Sequence, residues 1–158
     1  MKNAMDRSSN DDDITMPGMI IGKSIVAIGH SEYSEPEFVR EGIGPARFRT
    51  HYIFLDNDLV LDLNAYELTI TQRPTQVMAA QTVGLSPAEL YGRRIIAVGL
   101  DDTSSVVLIL EDGMFLRDDN DGSYGNPLLA GRLLDHYTNE QLNSLTDYWT
   151  QKPITLDQ

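Results

Sequence analysis

The sequence contains no cysteine. That excludes disulfides, thiolate metal sites and cysteine nucleophiles together, and it agrees with a reducing compartment. Basic residues are scarce: 12 Lys and Arg stand against 24 Asp and Glu, a net charge of −12. Such a balance repels nucleic-acid phosphates and anionic membrane surfaces, and it attracts basic partners at long range. Neither a nucleic-acid nor a membrane partner is therefore expected. No apolar run approaches the roughly 18 residues of a membrane span, and Met1 to Asp13 lacks the apolar core of a secretory signal, so a cytoplasmic location is expected. Tryptophan occurs once, as Trp149.

What is present is ordinary globular composition, 41% hydrophobic and 23% charged over 158 residues. A chain of this length forms one domain and buries roughly 70% of the surface its unfolded form exposes. Residues 1–17 are polar and acidic, with Ser8-Ser9-Asn10-Asp11-Asp12-Asp13 offering nothing to bury, and read as a flexible tail. Residues 18–158 read as a single domain.

Within that domain the sequence repeats. Ile21-Gly22-Lys23-Ser24-Ile25-Val26-Ala27-Ile28-Gly29 matches Tyr91-Gly92-Arg93-Arg94-Ile95-Ile96-Ala97-Val98-Gly99 at an offset of 70. The run from Tyr52 to Leu61 matches the run from Val107 to Leu116 at an offset of 55. Two units, about 19–71 and 90–150, then share one pattern, with residues 30–51 of the first as a long connecting insertion.

Each unit reads as three strands: 23–29 and 94–100, then 51–56 and 105–111, then 59–63 and 114–118. A further strand is expected from Tyr66 to Thr71. Asp112-Gly113 supplies the positive φ of a tight turn, and Asp56-Asn57-Asp58 is its counterpart. Ser86-Pro87-Ala88-Glu89 is a capping box that opens a short helix. Asn126-Pro127 is expected to open another through Leu134. Thr138 and Gln141 begin a C-terminal amphipathic helix in which Leu142, Leu145 and Trp149 share an apolar face. The expected fold class is α+β: two duplicated antiparallel β-meander units with short helices.

Motifs with chemistry are scarce. Asp118-Asp119-Asn120-Asp121-Gly122 resembles a calcium loop, but placing Gly122 at loop position six puts Arg117 and Leu128 where carboxylates are needed. The histidines, His30, His51 and His136, do not converge in sequence as zinc ligands do. No nucleophile elbow, phosphate loop or dinucleotide fingerprint occurs, so no catalytic residue, metal or cofactor is expected, and a carboxylate pair from separate loops is the remaining route to catalysis.

Meander topology makes one sharper statement. If 94–100 runs up, 105–111 down and 114–118 up, then Asp101 and Asp102 share an end of the sheet with Asp118, Asp119 and Asp121. In the first unit the matching end carries Arg40, Arg47, Arg49 and His51. The acidic rim either points into water or docks a basic surface, with Tyr124, Tyr33 or Phe48 as anchors.

Gly92-Arg93-Arg94-Ile95, Leu108-Ile109-Leu110-Glu111-Asp112-Gly113 and Asp121-Gly122-Ser123-Tyr124-Gly125-Asn126-Pro127 together resemble a pattern in small bacterial β-rich proteins, some of them immunity proteins encoded beside toxins. The resemblance covers about 40 residues. It implies a cognate inhibitor that occludes a basic, possibly nuclease, toxin surface, and it carries over no site residues. The expected partner-binding residues, from the rim alone, are Asp101, Asp102, Asp118, Asp119, Asp121 and Tyr124. The alternative is a regulatory or phage-encoded protein-binding module.

Overall fold

The computed structural model describes residues 14–32, 50–64, 66–118 and 127–156 in full, with the backbone of 33–40 and 44–49. The chain is β-rich: two sheets and a few one-turn helices. The first half contains α1 (Pro17–Ile20), β1 (Ile25–Arg40), β2 (Gly44–Leu55), β3 (Val60–Leu63), β4 (Leu68–Thr71), β5 (Met78–Ala79) and β6 (Thr82–Gly84). The second contains α2 (Pro87–Leu90), β7 (Ile95–Leu100), β8 (Val106–Leu110), β9 (Met114–Asp118), β10 (Leu128–Arg132), α3 (Leu133–His136), α4 (Asn139–Asn143) and β11 (Thr146–Asp147). One sheet has the order β4-β3-β2-β1-β5 and the other β11-β7-β8-β9-β10-β6.

Strand alternation decides which side chains meet. Ile28, Ile53, Leu61 and Leu63 of the first sheet and Val98, Leu108 and Leu116 of the second belong to one buried cluster, so the inner faces of the two sheets share a core. The sheets are tied together where their leading segments cross. Gly22 N–H donates to the Ile95 carbonyl at 2.7 Å and Gly92 N–H to the Ile25 carbonyl at 2.8 Å. Ile25 N–H donates to Arg93 and Ile95 N–H to Lys23, at 3.0 and 2.9 Å. Both glycines sit at φ +86°, a left-handed conformation that a side chain at either position would oppose. Both following strands carry a register shift, between Ile25 and Ala27 and between Ile95 and Ala97.

Three expectations about elements change. Residues 30–40 and 44–51 are not loop: they belong to β1 and β2, which pair continuously from Gly29↔Tyr52 to Glu35↔Ala46 as a long antiparallel arm. Tyr33, Val39, Phe48 and Thr50 favour extended backbone, and the register sets Glu32 opposite Arg49. Asn126-Pro127 does not open a helix through Leu134. Leu128 and Ala130 are wholly buried core residues, and the segment pairs with β9 on one side and, in parallel, with β6 on the other, which leaves only Leu133–His136 helical. The helix begun by the Thr138 and Gln141 capping box ends at Asn143 rather than reaching Trp149. Thr146 and Asp147 pair with Leu100 and Gly99 at the edge of the sheet, and the Asp147 carboxylate accepts from Trp149 and Thr150 N–H, each at 2.9 Å, in a turn incompatible with helix. The Ser86 and Glu89 box stands as expected, and the further strand runs over Leu68–Thr71.

The indole of Trp149 packs on the shared core, and its Nε1–H donates to the Thr15 carbonyl at 2.9 Å. Ile14 bridges Thr69. The start of the described chain is thus fastened to both β4 and the C-terminal segment. Of the expected tail, residues 1–13 lie outside the described residues. Among the described residues no helix is long and apolar enough to cross a membrane.

Candidate functional site

β7 ends at Leu100 opposite Val106, and Val107 lies opposite Arg117, so the turn holding Asp101 and Asp102 shares an end of the sheet with Asp118. The structure places these three at one end of the sheet, as topology demands. Asp119, Asp121 and Tyr124 lie outside the described residues, as does the acidic stretch read against the calcium-loop pattern beyond Asp118.

Asp101 does not stand out from the rim. Its side chain is only 2% exposed. One carboxylate oxygen accepts from Thr103 N–H, Thr103 Oγ1 and Ser105 N–H at 3.0, 2.7 and 3.0 Å. The other accepts from the Tyr137 hydroxyl at 2.9 Å and lies 3.8 Å from Arg117 Nη1. Burial pushes this carboxyl up, but the bonds from Thr103, Ser105 and Tyr137 outweigh burial and hold it below the usual carboxylate range. Tyr137 moves the opposite way, raised well above the normal phenol range by burial and by the Asp101 charge, against the pull of Arg117. The group is a cap: a short turn at Ser104, φ +64°, needs its orphan N–H groups satisfied, and Asp101 does this from below the surface.

Asp102 points outward and accepts from Gln141 Nε2 at 3.2 Å. It lines a shallow depression of about 450 Å³ with Thr138, Glu140, Gln141 and Ser144. Asp118 ends β9 half-buried, opposite Leu128.

A fourth carboxylate belongs with these and was not expected. Asp62 lies in β3 between the core residues Leu61 and Leu63, so alternation turns it to the outer face of its sheet, where the register places it beside Tyr52 and Thr69. Burial, then the charges of Glu67 and Asp118, raise its carboxyl to about 6. A sequence signal existed: an acidic residue interrupts the apolar run Val60-Leu61-Asp62-Leu63, at the position that Arg117 occupies under the offset of 55.

The counterpart end of the first sheet differs from its expected form. His51 is buried, 3% exposed, opposite the equally buried His30, with their ring centroids 6.4 Å apart. His30 Nε2 lies 3.4 Å from the Glu32 carboxylate. Arg40, Arg47 and Arg49 stand on the β1–β2 arm, where Tyr33 and Phe48 also lie; the side chains of all five are outside the described residues. No group of three or more His, Asp or Glu suited to a metal ion occurs among the described residues. Compared with known protein families, curated proteins and solved structures, the chain matches none.

Proposed function

We propose that this chain is a protein-binding module of the inhibitor or immunity type, acting inside the cell, whose acidic end docks a basic protein surface. The single observation that carries the reading is the state of Asp62. A carboxyl raised to about 6 beside Asp118 and Glu67 marks a place where like charges crowd against partly dry protein. A cationic surface laid across that end relieves the repulsion, and the net charge of −12 steers such a partner in. Asp102, Asp118 and the residues following Asp118 form the contact; Asp101 supports it from beneath by holding the turn.

The two halves are read as copies of one unit. Reciprocal hydrogen bonds at Gly22 and Gly92, paired register shifts after Ile25 and Ile95, and two helical turns 70 residues apart support that reading. Duplication supplies a doubled scaffold, while the charge at the strand ends has diverged. The partner implied by the resemblance noted for residues 92–127 is a toxin.

Partner capture tests the proposal. Tagged protein recovered from its native cells at low salt is expected to bring down one basic protein in stoichiometric amount, released at high salt, whose toxicity co-expression relieves. Reversing Asp102 and Asp118 to lysine should weaken capture at least about tenfold, the scale of a lost charge-assisted contact. Because a cation laid on the site displaces the proton of Asp62, affinity should rise with pH up to about 6 and level off above it. Recovery of no stoichiometric basic partner contradicts the proposal.

A further inference from the structure

A second feature lies at the opposite end of the second sheet. Arg132 ends β10 opposite Met114, whereas Asp118 and Leu128 mark the acidic end of the same strand pair. Beside Arg132, between strands β7 and β8, the β8–β9 turn, α3, α4 and the C-terminal segment, is a cleft of about 530 Å³. That is within the usual size of small-ligand sites, roughly 300–1,000 Å³.

Its walls include Ile96, Leu134, Leu142 and Leu156. Ile96 is 50% and Leu134 64% exposed, so the chain itself leaves these two largely uncovered, while Leu142 and Leu156 belong to a second core beneath them. Three charged side chains join them. Asp112 is committed to Arg93, whose Nη1 lies 2.7 Å away. Arg132 and Asp135 are not committed: among the described residues neither side chain has an ion-pair or hydrogen-bond partner, and they do not pair with each other. Here one free cation and one free anion line the same apolar cleft.

We propose that the cleft binds a free hydrophobic α-amino acid, its carboxylate on Arg132, its ammonium on Asp135 and its side chain among Ile96, Leu134, Leu142 and Leu156. A guanidinium takes a carboxylate through two parallel hydrogen bonds, and the aspartate takes an ammonium as a compact charge. The zwitterion brings no net charge, which suits one cation and one anion lining the same cleft. The apolar walls select a large aliphatic or aromatic side chain over a small one.

Calorimetric titration with L-leucine and L-phenylalanine tests this, with glycine, N-acetyl-L-leucine and L-leucinamide as controls. Saturable one-to-one binding of leucine or phenylalanine is expected, with no detectable binding of glycine. Each analogue lacking one charge should bind at least about tenfold more weakly, as should leucine with Arg132→Gln or Asp135→Asn. Both substituted side chains are exposed, so unchanged thermal midpoints should accompany the losses. Absence of saturable binding of both amino acids overturns the proposal, and so does equal affinity for leucine, its N-acetyl form and its amide.

Discussion

The outer faces of the two sheets are crossed in different ways. In the second sheet, residues 133–145 pass from β10 to β11 as α3 and α4, and they bury Val107, Ile109 and Phe115 under Leu133, Tyr137, Leu142 and Leu145 in a second core. In the first, β4 and β5 lie at opposite edges, and residues 72–77 cross between them without helix. That crossing touches the face at two points: Arg73 lies 5.3 Å from the Phe54 ring centroid, and Val77 packs where Gly29 has no side chain. Phe54 and Val60 are buried but join neither core cluster. The second sheet therefore carries a core cluster on each face, and the first carries one on its inner face only. The same contrast recurs at single positions, since Arg117 caps the buried Asp101 and Tyr137 group while Asp62, its counterpart, is a carboxyl held partly dry among other carboxylates.

The largest test of that contrast is a pair of truncations. Phe115→Ala removes a wholly buried ring from the second core and should cost about 3–5 kcal/mol in urea unfolding at pH 7. Phe54→Ala, under a single polar strap, should cost about half as much, because the exposed strap settles into the space. Equal losses would mean that the first sheet hides a second core as well.

Asp101 and Asp62 should respond to charge removal with opposite signs. Asp101→Ala leaves Ser105 N–H, Thr103 N–H and the Tyr137 hydroxyl without their acceptor, at a cost of about 3 kcal/mol at pH 7. A native carboxyl lowered from its unfolded value stabilises above the ordinary range and loses that contribution as pH falls through the lowered value, so the penalty of the substitution should shrink in acid. Asp62→Asn should instead stabilise the protein by about 1–2 kcal/mol at pH 7, after discounting for solvent around the group. A carboxyl raised to about 6 makes native stability fall as pH climbs from about 4 to 6 and stay level above, so the gain should vanish below pH 4.

Gly29→Ala is the smallest of the set. Its Cβ meets Val77 Cγ1 and stands 3.1 Å from the Met78 carbonyl oxygen, so the 39%-exposed Val77 and the two-residue β5 must give, and a loss of about 1 kcal/mol is expected, measured as a modest drop in thermal midpoint. A larger loss would show the crossing to be as firmly seated as its helical counterpart.

Features governed by local chemistry were legible in the sequence. Ser86 with Glu89 and Thr138 with Gln141 form their capping boxes, and Asp112 and Gly113 take φ +68° and +72° in the hairpin turn. Features governed by pairing at a distance were not. The β1–β2 arm extends past β3 and β5, so its outer residues carry no apolar alternation to announce a strand. Leu128–Arg132 follows a helix-start signal, yet it is held as strand by β9 and by β6, some 45 residues earlier. At the candidate site, strand order placed Asp101, Asp102 and Asp118 at one end of the sheet, but it did not separate Asp101, consumed by its own turn, from Asp102, which faces outward. Asp62 is not legible as part of that end because the charge that links it there, Asp118, is distant in sequence.

Titration of Asp62 by carboxyl NMR, in the native protein and in Asp118→Asn, addresses the crowded acidic end most directly. The account predicts an apparent value near 6 in the first and a lower one in the second, since one of the charges that raise it has been removed. Titration near the ordinary carboxylate value of about 4 in both proteins would contradict it, because no stored repulsion would then await a cationic partner.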